Sequence, residues 1–202
     1  CRPNKPRRSW TKWIPTKAEL ERFVGFARKA YSGDVMVPWI WFMAYAGTRP
    51  TEALFLEWND IDFETETIHI RPKEGNLLKN HKYRVVNMHP DLKPILVEFR
   101  KTWEEVFMVR ARRHPDEKSP PHNFVFFNPR KQTMKAKSFN SSFYNVREKA
   151  GLPKLSPHGL RHFFISYCLM SGILPNTIAK WVGHSGTKMI ETTYGHLIPS
   201  FK

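Results

Sequence analysis

Residue types that handle phosphate cluster in the last quarter of this 202-residue chain, between Leu155 and Leu197. His158 and Arg161 stand three apart, His184 follows the pair Val182-Gly183, and Tyr194 comes ten residues later, ahead of Gly195 and His196. A spacing of three puts His158 and Arg161 on one face of a helix. Cations there would hold a phosphate, and a phenolic oxygen would attack it. Tyrosine is a covalent nucleophile, and phosphoryl transfer depends mainly on positioning and charge stabilisation. Upstream, Arg49 follows Gly47-Thr48, with Glu52 one turn further on. A guanidinium fits phosphate oxygens as a fork and keeps its charge. Glu52 is expected to orient Arg49 or a histidine. Taken singly, these residues have ordinary readings: an intrahelical ion pair for Arg49 and Glu52, a surface arginine, an aromatic on an amphipathic helix. Their combination carries the signal.

Charge points to the partner. Lysine and arginine total 33 against 18 acids, a net charge of +15. A protein this basic usually meets a polyanion, most often nucleic acid. A solvated basic surface or an anionic membrane is the alternative. The 41% of hydrophobic residues suffices for a packed core, and the length suits one domain plus an arm. Cys1 and Cys168 are too few and too far apart for a disulfide framework or a zinc site. Cys168 lies in an apolar run and is expected to be a buried thiol. The expected setting is reducing and intracellular, with no signal-like opening segment. The longest apolar run, Val35 to Gly47, contains Pro38 and is too short to span a bilayer.

The elements that must position these residues follow from pattern. Residues 1 to 15, basic with three prolines, read as an arm or linker. Thr16-Lys17-Ala18-Glu19 has the form of a capping box, and Leu20, Phe23, Val24 and Ala27 predict a helix to about Ala30. Val35 to Ala46 reads as a buried helix broken by Gly47, and a new helix should start near Thr48 or Arg49 with Pro50 in its first turn. Trp58 to Asp62 leads into strands. Thr67 to Arg71 alternates around Ile68 and Ile70, and Lys82 to Met88 around Tyr83, Val85 and Val86. The loop from Pro72 to His81 makes them a hairpin in a small antiparallel sheet. Helices are expected over Asp91 to about Arg112, Ser138 to Ala150, 158–171, 175–182 and 187–194, and a short strand over Asn123 to Phe127. The class is α+β, mostly helical with one small sheet.

The site residues also resemble two boxes of the tyrosine recombinase (phage integrase) family. The first is Ala46-Gly47-Thr48-Arg49-Pro50-Thr51-Glu52-Ala53-Leu54. The second is Pro157-His158-Gly159-Leu160-Arg161-His162, with Val182-Gly183-His184 and Tyr194-Gly195-His196. The resemblance covers roughly residues 16 to 200. It implies a catalytic domain over 16–202, with the family's N-terminal core-binding domain absent from this chain. The implied activity is site-specific DNA recombination, as by an integrase of a phage or mobile element, through a 3′-phosphotyrosyl intermediate.

In that scheme Tyr194 is the nucleophile and Arg49 and Arg161 clamp the phosphate. His158 takes the tyrosine proton or bonds the phosphate, and His184 contacts the phosphate. Glu52 supports them. Lys79 on the hairpin is the acid for the leaving 5′-oxygen, while Lys73 and Lys82 in the same hairpin are its competitors or phosphate contacts. His162 matches the motif but is read as packing or capping. Tyr144 and Tyr167 do not stand at the matching offset. Glu191 departs from the family's frequent threonine. No cofactor, metal or ATP is implied. The implied partner is double-stranded DNA, with a tetramer on DNA for the full-length protein and no membrane. The implied location is the bacterial cytoplasm, with the nucleoid. Two other readings remain: a type IB topoisomerase-like nicking-closing enzyme, and a basic DNA-binding protein that does not cut.

Overall fold

The computed structural model describes residues 13–30, 32–73, 83–113, 123–126 and 136–197. The first helix, α1 (Lys17–Arg28), opens on the expected capping box. Thr16 Oγ1 accepts from the Glu19 amide at 3.2 Å, and Glu19 Oε2 accepts from the Thr16 amide at 2.8 Å. Leu20, Phe23, Val24 and Ala27 form its buried face, turned toward α2 (Gly33–Ala46) and α5 (Ala136–Lys149).

Beyond Asp34 in its first turn, helix α2 is apolar on every side and is buried along almost its whole length. Such a helix belongs in the middle of a domain, and α1, α3 (Pro50–Leu54), α4 (Leu92–Arg113) and α6 (Pro157–Met170) all pack on it. Pro38 sits inside α2, where it removes one hydrogen bond, the one to the carbonyl four residues back. The remaining helices are α7 (Pro175–Val182) and α8 (Lys188–Tyr194), the latter running into a 3₁₀ turn at Gly195–Leu197.

Strands β1 (Ile61–Asp62), β2 (Thr67–Ile70) and β3 (Arg84–Asn87) form one antiparallel sheet in that order. Thr67 faces Asn87 and Ile70 faces Arg84, so β2 and β3 are the expected hairpin. Residues 74–82 between them, Lys79 and Lys82 included, lie outside the described residues. The phase of β3 is informative. Val86 and Met88 are buried, whereas Tyr83 and Val85 are exposed. Arg84, two residues from Val86, therefore shares the inward face.

Of the strand expected over Asn123 to Phe127, residues 123–126 are described and form no continuous strand. This segment makes a single bridge, Phe124 to Glu57. Two backbone bonds hold it, Trp58 N to Asn123 O at 3.0 Å and Val125 N to Leu56 O at 2.8 Å. The partner segment turns into a 3₁₀ helix at Trp58–Asp60. Val125 and Phe126 are buried and anchor the segment by packing instead.

The chain is thus mostly helical with a small antiparallel sheet, the α+β class expected from the pattern. No helix among the described residues is long and apolar enough to cross a membrane.

Candidate active site

The site is built around the C-terminal end of α7. The last carbonyls of a helix lack intrahelical partners and carry the negative end of its dipole. Three arginines from three different elements meet them in succession. Arg84 of β3 donates from Nε to Trp181 O at 2.7 Å. Arg161 of α6 donates from Nη2 to Val182 O at 2.7 Å. Arg49, at the start of α3, donates from Nη2 to Gly183 O at 3.5 Å. Gly183 closes α7 with φ of 70°. The left-handed backbone angle favours glycine here, and a Cβ would sit 3.3 Å from the Arg84 side chain, which would have to give by a few tenths of an ångström. His184 follows at once and is held by its amide on Ala179 O at 2.9 Å.

Two acceptors fix the arginines from the other side. Arg161 Nη1 donates to Gly47 O, the left-handed end of α2, at 2.8 Å. This residue is 2% exposed and ties the ends of α2 and α7 together. Burial and then neighbouring Arg49 lower its pKa to about 9, still well above neutrality, so the cation persists. Glu52, buried in α3, is shared by Arg49 and Arg84. Its Oε1 accepts from Arg49 Nη1 at 2.7 Å and from Arg84 Nη1 at 3.3 Å. Its Oε2 accepts from Arg84 Nη2 at 2.5 Å and from the Arg49 amide at 2.8 Å. Burial alone would raise the pKa of this carboxyl, but the hydrogen bonds and charge of Arg84, then those of Arg49, outweigh it and hold it below the usual range.

Arg49 and His184 also line a cleft of about 620 Å³ together with Lys188, Ser185 and Thr192. Among the described residues no acid lines this cleft, which makes it a place for an anion. A second concavity of about 560 Å³ between α2 and α4 sets Asp34 and Glu98 against Arg28 and has the wrong charge for phosphate. His184 Nδ1 is buried and has no hydrogen-bond partner among the described residues. Burial, then Arg161 and Arg49, push its pKa down to about 4. The ring is therefore neutral at pH 7 and, with its proton on Nε2, is a hydrogen-bond donor for an anion.

Tyr194 ends α8 and is 2% exposed. It packs with Ile190 against Phe164, Ile165, Cys168 and Leu169 of α6 and Ile178, Ala179 and Val182 of α7. Burial raises its phenol pKa well above the ordinary value, and Arg161 offsets this only in part. Its hydroxyl contacts His162 Nδ1, with ring centroids 5.7 Å apart. His158 meets His162 edge to face at 4.9 Å. Ser156 caps α6 by accepting from the Gly159 amide at 3.0 Å, which places this His-Arg-His set in its first two turns.

The structure thus brings together Arg49, Glu52, Arg161 and His184. His158 joins them through the electrostatics of His184 and Tyr194 through those of Arg161. Lys79 lies outside the described residues. Lys73 Nζ is held by Glu57 at 2.8 Å and Asp60 at 2.6 Å at the root of the hairpin. His162 is neither filler nor cap, because its helix phase turns it to the Tyr194 hydroxyl. Arg84 was missed by sequence reasoning. Its signal was a charged residue in phase with the buried Val86 and Met88. Glu52 accordingly orients two arginines rather than a histidine. Cys168 is the buried thiol expected, its pKa raised to about 12 by burial. Among the described residues no three His, Cys, Asp or Glu side chains are grouped to hold a metal ion.

Comparison with known proteins agrees with this architecture. The phage integrase family model matches residues 15–200, and the chain belongs to that family. It is 24% identical over 174 residues to the tyrosine recombinase XerC-like protein of Caldanaerobacter subterraneus subsp. tengcongensis, covering 77% of this chain and 44% of that protein. To tyrosine recombinase XerC of Pediococcus pentosaceus it is 31% identical over 152 residues, covering 75% of this chain and 46% of that protein. The chain therefore spans less than half the length of these relatives. The integrase of transposon Tn1549, solved in complex with a circular intermediate DNA, is similar in fold. Its TM-score is 0.70 at 20% identity, over 91% of this chain and 61% of that one.

Proposed function

We propose that the chain is the catalytic domain of a site-specific DNA recombinase of the integrase kind. It cuts and rejoins double-stranded DNA through a 3′-phosphotyrosyl link to Tyr194, with neither metal nor ATP. The observation that carries this reading is the cleft lined by Arg49 and His184 without an acid among its described residues, backed by Arg161 and adjoining the Tyr194 helix. A scissile phosphate in that cleft is met by Arg49 and by the donor of His184. Arg161 spends two of its N–H groups on Gly47 O and Val182 O and has others for a phosphate oxygen, since guanidinium carries five. The developing negative charge is stabilised by preorganised donors. Tyr194 attacks, and the 5′-oxygen leaves with a proton from a hairpin lysine, for which Lys79 is the candidate. The link retains the bond energy, so the 5′-hydroxyl can reverse it without a high-energy cofactor.

The net charge of +15 supports DNA as the partner, as do the family and the DNA-bound state of the Tn1549 relative. We place the catalytic domain at 16–202, after a basic arm at 1–15, and propose that the full-length protein works as a tetramer on DNA in the bacterial cytoplasm.

The test is covalent trapping. Nicked suicide duplexes are incubated with wild type and Tyr194→Phe in EDTA, and protein–DNA adducts that resist SDS are mapped. Adducts with wild type alone, mapping to Tyr194, are expected. Adducts that persist in Tyr194→Phe move the nucleophile elsewhere. DNA binding with no adduct from wild type favours a non-cutting binder, and relaxation of supercoils without strand exchange favours a topoisomerase-like enzyme.

A further inference from the structure

We infer that, with Tyr194 as the nucleophile proposed above, His162 rather than the neighbouring His158 is the base that takes the Tyr194 proton during cleavage and returns it on rejoining. Among the described residues, His162 Nδ1 is the one hydrogen-bond partner of the Tyr194 hydroxyl. The tyrosine is 2% exposed, so solvent hydroxide has no open path to it. The charge of Arg161 does not offset the effect of burial. A buried neutral phenol attacks a phosphate only if a group already in contact removes its proton. His158 lies one ring further out, edge-on to His162 at 4.9 Å, and its charge bears on His184, on the phosphate side of the site.

Neutral His162 carries its own proton on Nε2 and receives the Tyr194 proton on Nδ1. The Oη–P bond forms while the P–O5′ bond breaks, and the 5′-oxygen takes its proton from the leaving-group acid. On rejoining, the 5′-hydroxyl gives its proton back to the deprotonated leaving-group acid and attacks phosphorus; the P–O5′ bond forms while the Oη–P bond breaks, and the imidazolium returns its proton to Oη.

The experiment is single-turnover cleavage by wild type, His162→Asn and His158→Asn. Each is given a suicide duplex with either an ordinary scissile phosphate or a 5′-bridging phosphorothiolate, whose sulfur leaves without an acid. Asparagine can keep a hydrogen bond to Tyr194 but cannot take its proton. His162→Asn should cleave both substrates about 100- to 10,000-fold more slowly than wild type. Its rate should keep rising with pH, whereas wild type levels off once the base is fully deprotonated. His158→Asn should keep the wild-type levelling. A His162→Asn rate within about threefold of wild type overturns the assignment. So does rescue by the phosphorothiolate, which would put His162 at the leaving group. A slow variant with an unchanged pH profile reduces His162 to placement and also overturns it. Should His162→Asn fail to fold, judged by thermal unfolding, His162→Gln is read by the same criteria. Adduct formation by wild type is the separate control: its failure refutes the recombinase reading, not the identity of the base.

Discussion

Replacing Glu52 by glutamine keeps the shape of the side chain and removes its charge. The carboxylate takes four hydrogen bonds, two from the Arg84 side chain and two from Arg49. Its own side chain is 2% exposed, that of Arg84 8%, and that of Arg49 24%. Glutamine offers one acceptor oxygen and turns an NH₂ toward a guanidinium, so two cations lose their counter-charge. Breaking a buried ion pair costs about 3–5 kcal/mol. Arg49 can rehydrate, so the lower end applies, about 3 kcal/mol, and it falls mainly on Arg84. For a domain of this size each kcal/mol moves Tm by about 2–4 °C, which predicts a fall of about 6–12 °C. The assay is thermal unfolding followed by circular dichroism for wild type, Glu52→Gln, Arg84→Met and the double variant. Because the two partners share one interaction, the double variant should lose less than the sum of the singles by about 1–3 kcal/mol. The pH dependence adds a second readout. Since the folded pKa of Glu52 lies below its unfolded value near 4.3, its contribution is present above about pH 4.3 and is lost as pH falls through the folded value. Glu52→Gln should lack that acid-side loss. A Tm within about 2 °C of wild type, or strictly additive losses, would refute the claim that one carboxylate holds two arginines against α7.

Other outcomes follow from the same geometry. Arg161→Lys should lower single-turnover cleavage by about 100-fold or more, because a point charge cannot reach Gly47 O, Val182 O and a phosphate at once; suicide-substrate kinetics measure it. His184 has a folded pKa of about 4 against about 6.5 unfolded. The unfolded chain therefore binds its proton first, and stability drops as pH falls from about 6.5 toward 4. Urea midpoints at pH 7 and pH 5 should differ more in wild type than in His184→Gln. Gly183→Ala forces a Cβ into a left-handed backbone and against Arg84, and should destabilise by about 1–2 kcal/mol or more, measured as a shift in urea midpoint.

How much of this was legible beforehand depends on the range of the interaction. The helices were readable because their signals are local. The Thr16–Glu19 box, the apolar stripe of α1 and the apolar run Val35 to Ala46 in α2 each state their structure within a few residues. Arg49 and Glu52 were paired correctly because a spacing of three is fixed by the helix itself. Residues 123–126 make a single bridge instead of the expected strand because strand formation needs a partner edge, and the segment paired with them turns into a 3₁₀ helix after Glu57.

The sequence by itself therefore determined the order of helices and hairpin, the positions of Arg49, His158, Arg161, His184 and Tyr194, and the family they belong to. The tertiary structure alone decided which groups meet. Arg161 and His162 are neighbours in the chain, about 100° apart around a helix, yet the pattern could not say that Arg161 turns to the end of α7 while His162 turns to Tyr194. Nor could it show that Arg84 crosses from β3 to Glu52 and Trp181 O, or that Lys73 is taken by Glu57 and Asp60. Those contacts join residues far apart in the chain, and only the packing of α2, α6, α7 and the sheet brings them within hydrogen-bonding distance.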